Sequence, residues 1–280
     1  MHTLLRYGTF PLFFLGFNGL GLWLVATQAP DAARYALLLL AVLTMLGIER
    51  LIPWQPAWNQ NPGEGAADVL HALVNTALTY GGLSLLPLLA SAHPWPWLWP
   101  SHWPWLVQLL VAVLMLDLGI SAAHHLSHRL ALLWRFHAVH HAAERLYGFN
   151  GWMKHPVHQL IETAAGMTPL LLLGVTPSIA TAVAFCVAIQ LLLQHANADY
   201  RIGPLKYAFA TAEAHRFHHL RGPAGDVNFG LFTTAWDHLL GTFRYDARQV
   251  PRQPDAVGLS PAIAPRRYWA QLAAPFRRAA

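Results

Sequence analysis

Histidine is the residue type in this chain best suited to chemistry. There are 17 in 280 residues, more than the 13 Asp and Glu combined, and 13 of them lie at or after His124. In His124-His125-Leu126-Ser127-His128 the outer two are four apart, which puts both rings on one face of a helix. His137-Ala138-Val139-His140-His141 again groups 137, 140 and 141, and His215-Arg216-Phe217-His218-His219 repeats that spacing 78 residues later. Neutral imidazole binds zinc, iron, copper and nickel. The three clusters supply eight candidate ligands (His124, His128, His137, His140, His141, His215, His218 and His219), and His155 and His195 are two more. A tetrahedral zinc takes about four ligands and one iron about six, so this inventory suits two metal ions side by side. Cys186 is the single cysteine, which rules out an intrachain disulfide and a thiolate-based site. His125 points away from the His124/His128 face, and His2, His71, His93 and His102 lie outside the region, so these are read as non-ligands.

Carboxylates near the clusters are few. Asp117 lies seven residues before His124, roughly on the same helical face, inside an apolar run where an ionisable side chain is functional by default. It is the candidate catalytic carboxylate, placed to accept the free ring N–H of a ligating histidine. The alternative is an Asp paired with a neighbouring helix. Glu144, Glu213 and Asp237 are further candidates for supporting the histidines.

The elements that must position these groups are apolar. Charged residues make up 11% of the chain against roughly 25% in an average protein. Mean hydropathy is +0.34. Such a composition excludes intrinsic disorder and, despite a pI of 9.7, speaks against a nucleic-acid partner; it fits an integral membrane protein. Four apolar runs precede the clusters, roughly Thr9–Thr27, Ala32–Leu51, Val69–Leu89 and Trp105–Ala123, each near the ~20 residues of a spanning helix. The first is too long for a signal-peptide core and is read as an uncleaved span. Two shorter segments, about Leu160–Val175 and Ile179–Leu193, joined through Gly174-Val175-Thr176-Pro177, read as a helical hairpin, re-entrant or tilted. Three basic residues (Arg6, Arg34, Arg50) precede residue 124 and 15 follow it, so the positive-inside rule puts the N-terminus and the histidine clusters in the cytoplasm. On the opposite face, His93–Trp105 alternates five tryptophans with prolines and reads as an interfacial loop. The expected fold is all-α: an integral membrane bundle of about four spanning helices, a short hairpin and a cytoplasmic histidine-rich helical cap. Residues 1–246 form one membrane domain, with spans in 1–123 and the histidine-rich region, including hairpin 160–193, in 124–246. Residues 247–280 form a Pro/Arg-rich tail with a short interfacial helix near Tyr268–Phe276.

The order H-x3-H, H-x2-H-H, H-x2-H-H resembles the fatty acid hydroxylase/sterol desaturase superfamily. Leu133-Trp134-Arg135-Phe136, Lys154-His155-Pro156, Gln194-His195-Ala196-Asn197, Asn228-Phe229-Gly230 and Trp236-Asp237…Gly241-Thr242 extend the likeness over roughly Asp117–Tyr245. The chain departs from the pattern at His125, where arginine is frequent, at Ala142 in place of serine, and at His158, where many members carry glutamate; the ligand set stays intact. The resemblance implies a di-iron centre (zinc being a metal it would also accept on purification) that uses O2 to oxidise a lipid C–H bond by hydroxylation or desaturation. It also implies a lipid substrate taken from the bilayer and, since no cytochrome b5 segment is present, an external reductase or electron carrier. Composition suits a bacterial inner membrane. Two readings from other classes stand beside it: a membrane metal transporter or metal-binding protein, and a non-redox zinc-binding relative.

Overall fold

The computed structural model describes residues 1–84, 95–259 and 266–277. It is all-α, an integral membrane bundle. The helices are α1 (His2–Ala26), α2 (Asp31–Leu51), α3 (Gly65–Ser84), α4 (Trp105–Arg129), α5 (Ala131–His141), α6 (Pro156–Leu172), α7 (Pro177–His195), α8 (Ala212–His218), α9 (Ala235–Leu240) and α10 (Tyr268–Ala273). Pro11 lies inside α1 and lacks an N–H, and the turn that follows it, Leu12–Phe17, winds as a π-helix.

Four described helices are long and apolar enough to cross a membrane: α1, α2, α4 and α7. This set differs from the expected one in its third member. The expected span Val69–Leu89 begins within α3, but residues 85–89 lie outside the described residues. The second hairpin arm qualifies instead, because Pro177 starts it earlier and His195 ends it later than the apolar run suggests. Its 19 residues reach about 28 Å, close to the ~30 Å hydrocarbon thickness. Helix α7 is also the centre of the bundle, apolar on every face and buried along most of its length. Outward-facing Leu15, Leu20, Leu39, Leu43, Leu110 and Leu114 on α1, α2 and α4 remain exposed, as lipid-facing side chains do.

Close approach fixes the hairpin against α4. A Cβ on Gly119 would meet the Ala165 carbonyl at 2.2 Å, and one on Gly166 would meet Leu116 and Ile120 at 3.0 Å. Such small-residue contacts let two membrane helices touch backbone to backbone. Polar clamps then gather the helix ends at the histidine side. Arg6 pairs with Asp199 (2.7 Å), Arg145 with Glu64 (2.6 Å), and the Tyr147 hydroxyl donates to Asp68 (2.5 Å). The buried Glu49 carboxylate accepts from the N–H groups of Gly148 (2.6 Å) and Asn197 (2.9 Å), tying α2 to the segment leaving α7. The uncharged loop expected at His93–Trp105 holds a single turn of 3-10 helix, Pro96–Leu98, while His93 lies outside the described residues. The tail helix forms as α10, with Trp269 exposed and Tyr268 and Gln271 buried against the bundle.

Candidate metal centre

The histidines converge from four helices. His124 and His128 lie in the last turns of α4, and His137, His140 and His141 end α5. His195 closes α7, His215 and His218 lie in α8, and His219 is its C-cap. Nine rings form two groups: His124, His128, His137, His141 and His218, and His140, His195, His215 and His219. Within each group one nitrogen from every ring lies within 4.8 Å of all the others. Each i,i+4 pair stays together, 124/128 and 137/141 in the first group and 215/219 in the second. The i+3 residue of each H-x2-H-H motif turns to the other group.

Hydrogen bonding fixes the form of several rings. A carbonyl only accepts, so a ring nitrogen facing one must carry the proton. Nδ1–H of His124 donates to Phe229 (2.9 Å), that of His218 to Val227 (2.8 Å), that of His140 to Met153 (3.0 Å) and that of His195 to Leu191 (3.1 Å). Their Nε2 atoms are therefore lone-pair nitrogens in the neutral ring. Yet Nε2 of His124 and His218 face each other at 2.9 Å, and those of His140 and His195 at 3.2 Å. Two lone pairs at that distance repel unless a proton or a cation lies between them. Burial works against the proton: it pushes His218 down to about 4 and lowers His137, His140, His141, His215 and His219 well below the ordinary imidazole value. Each group is thus a site that could hold a metal ion.

Asp117 is fully buried, but it does not meet a histidine. Its Oδ1 accepts from the N–H groups of Leu231 (3.2 Å) and Phe232 (2.7 Å), and its Oδ2 from Thr233 N–H (3.2 Å), Thr233 hydroxyl (2.7 Å) and Trp236 Nε1–H (3.2 Å). Asp237 takes the preceding N–H groups, Phe229 (2.7 Å) and Gly230 (2.9 Å). The two acids clamp the loop whose Phe229 carbonyl orients His124. Asp117 thus acts at one remove from the role expected of it: it anchors residues 231–233 of the loop, while Asp237 holds the Phe229–Gly230 peptide whose carbonyl faces the ring.

A fatty acid hydroxylase family model matches residues 109–242, which contain all nine grouped histidines. The chain is 35% identical over 244 residues to "Ornithine lipid hydroxylase OlsE" of Rhizobium tropici, covering 82% of this chain and 71% of that one. The chain belongs to the fatty acid hydroxylase family. It is also 28% identical over 219 residues to "Alkylglycerol monooxygenase" of Xenopus tropicalis, covering 71% of this chain and 45% of that relative. No solved structure matches it. The family expected from the histidine motifs is borne out.

Of the ten expected ligands of this fatty acid hydroxylase family member, His155 alone stands outside both groups. Its Nδ1 accepts from Val157 N–H (3.1 Å) as the N-cap of α6, and its Nε2 faces the Leu272 carbonyl of α10 (3.2 Å). Pro156 sets the chain direction there and turns the ring toward the tail rather than the centre. His125, read as structural, approaches Arg129 (3.4 Å). His71, read as a non-ligand, bridges the Lys154 carbonyl and Gln271 at 2.9 Å each.

Sequence reasoning passes over Glu162, and it names Lys154 and His158 only as parts of the family pattern without giving either a role at the site. Lys154 and Glu162 pair at 2.5 Å and are both buried. With Ile120, Gly230, Leu231, Gln194 and five of the histidines they enclose a small chamber at the centre. Glu162 carried the same signal that singles out Asp117, an acid inside an apolar segment. A larger cavity of about 330 Å³ shares Ile120, Lys154, Glu162 and Leu231 with that chamber. It runs along the α7 face of Val183, Val187 and Leu191, and its rim residues Gly82, Leu160, Ala164 and Thr168 are exposed on the lipid-facing side between α3 and α6.

Proposed function

We propose that the protein is an O2-dependent membrane lipid hydroxylase or desaturase, with the two histidine groups each holding one iron ion. The observation that carries the reading is the pair of head-on Nε2 contacts, one per group, beside a cavity open to lipid. Iron bound there would supply the activation of O2 needed to break an unactivated lipid C–H bond. The chain's own residues do the rest. Carbonyls of Phe229, Val227, Met153 and Leu191 hold four rings in the ligating tautomer, and Asp117 and Asp237 hold the loop that carries the first of them. The apolar walls of the cavity align the lipid and keep water from the reacting carbon, and Ile120 and Leu231 narrow its passage to the chamber.

The names of the two relatives, a lipid hydroxylase and a monooxygenase, agree with this reading. Electrons come from an external carrier, the clusters face the cytoplasm, and a bacterial inner membrane is the proposed location. A metal transporter would need ligands strung along a path through the membrane. Here they close into two groups at one end of the bundle. Comparative lipidomics of cells with and without the gene, grown under 18O2, tests the proposal. The expected result is one lipid class carrying an 18O hydroxyl, or two hydrogens fewer, only when the gene is present. No oxidised lipid across the classes, with metal flux into vesicles instead, would overturn it.

A further inference from the structure

The neck between the lipid-side cavity and the metal chamber is charged. Among the described residues Lys154 and Glu162 are the only charged residues lining the 330 Å³ cavity, and both also line the chamber. An apolar chain passing this point would gain nothing from a buried ion pair, whose desolvation is a cost that apolar side chains of similar size avoid. The pair also has hydrogen-bonding capacity left over. The ammonium has three donors, and its recorded hydrogen bond is the one to Glu162 Oε2. Glu162 Oε1 is 3.9 Å from His158 Nδ1, beyond hydrogen-bond reach. His158 is fully buried, anchored through Nε2 to the Ser127 hydroxyl at 3.0 Å, and its Nδ1 has no hydrogen-bond partner.

The pair is held rather than loose. The Lys154 carbonyl accepts from Asn75 Nδ2 and faces His71 Nδ1, both at 2.9 Å, and Glu162 sits in the second turn of α6. A positioned donor and a positioned acceptor, side by side at the end of an apolar cavity, complement a group that offers an acceptor and a donor of its own. A secondary amide does so: its carbonyl accepts from Lys154 and its N–H donates to Glu162.

We infer that Lys154 and Glu162 form a binding subsite for a lipid amide, which fixes the reacting carbon within a few bonds of that amide instead of in mid-chain. The inference rests on the proposed lipid oxidation for its biological meaning, but its test measures binding alone. The full-length, metal-loaded protein in detergent micelles is titrated with three probes of one chain length: N-methyl octadecanamide, methyl octadecanoate and octadecane. Hydrogen bonds to charged groups predict about 10-fold tighter binding of the amide than of the alkane, with the ester, which lacks the N–H, between them. Substituting one partner leaves a buried charge unpaired and risks misfolding, so the working variant is Lys154→Met/Glu162→Met, which removes both charges together. It is expected to keep its melting temperature, its metal content and its alkane affinity, and to lose the amide preference.

Equal binding of the three probes by the wild type would overturn the subsite. So would a double variant that still prefers the amide. A double variant that does not fold shifts the test to Glu162→Gln, in which the amide preference should fall while alkane binding holds; an unchanged preference there overturns the subsite. Amide preference without any O2-dependent lipid oxidation would sink the proposed function and leave the subsite standing. Oxidation of lipid without amide preference would do the reverse.

Discussion

The two histidine groups share one chemistry and differ in what surrounds them. His128, His141 and His218 of the five-ring group border a pocket of about 540 Å³ at the outer end of the bundle, with Arg129, Trp134, Gly222 and Asp226. His128 Nδ1 lies 3.4 Å from Asp226, which also pairs with Arg129 at 2.5 Å. The four-ring group is buried throughout, and its His140, His195 and His215 face the small chamber with Lys154 and Glu162, as do His124 and His137 of the five-ring group. The five-ring group therefore reaches both the polar exterior and the chamber, and the four-ring group reaches the chamber alone. Under the proposed function the difference divides the traffic: small polar reactants and electrons approach from the five-ring side, and the substrate meets both groups at the chamber.

Removing one ring from each group is the strongest way to break that comparison. His218→Ala and His215→Ala should each lower lipid oxidation at least 100-fold, because each leaves an ion short of a ligand. Metal analysis should show the purified variants dropping from two ions toward one. If either variant keeps both ions and its activity, the nine rings do not form two sites of the kind argued above.

Acid sharpens the same comparison in the metal-free protein. His137, His140, His141, His215 and His219 titrate well below their unfolded value and His218 at about 4, so the unfolded chain binds more protons than the native one below about pH 6.5. Stability is then fully present above that pH and falls as pH drops, by about 1.4 kcal/mol per pH unit for each imidazole still neutral in the native state. Melting curves between pH 7 and pH 4 should show this steep loss. Saturating metal should oppose it, since ions and protons compete for the same nitrogens.

Much of this architecture is legible in the sequence, and the exceptions have physical causes. Helix spacing alone nominates the eight cluster histidines, and the return from the hairpin nominates His195. Their division into groups follows from helix geometry, because residues four apart are turned by about 40° and residues three apart by about 60° the other way. That small fork sends His140 away from His137 and His141. Two features stay out of reach. Helix α7 is apolar all round, and such a helix reads the same whether lipid or protein surrounds it. Lys154 and Glu162 pair across the start of α6, and no local pattern announces which buried acid a given lysine will meet.

Asp117→Asn tests how the outer group is held. An amide has one accepting oxygen where the carboxylate has two, and its NH2 would face the N–H of Thr233 and the indole N–H of Trp236. The Phe229 carbonyl should then lose its fixed aim at His124. Activity is expected to fall 10- to 100-fold, about 1.4–2.7 kcal/mol, with metal lost first from the five-ring group. Unchanged metal affinity would mean the loop holds its place without the clamp.

The smallest effect separates the centre from the tail. His155 belongs to the same stretch of chain as Lys154, yet its two nitrogens serve the α6 N-terminus and the Leu272 carbonyl. His155→Ala should therefore keep both ions and most activity while costing about 1 kcal/mol, the usual loss for a missing helix cap. It should also loosen α10, so limited proteolysis near Tyr268 should quicken in the variant. Loss of one ion on this substitution would move His155 into the centre and would require α6 to turn its first residue inward, away from the tail. That turn would cost α10 its contact at Leu272. Metal content and tail protection should therefore move in opposite directions, and measuring both in one variant decides which of the two His155 serves.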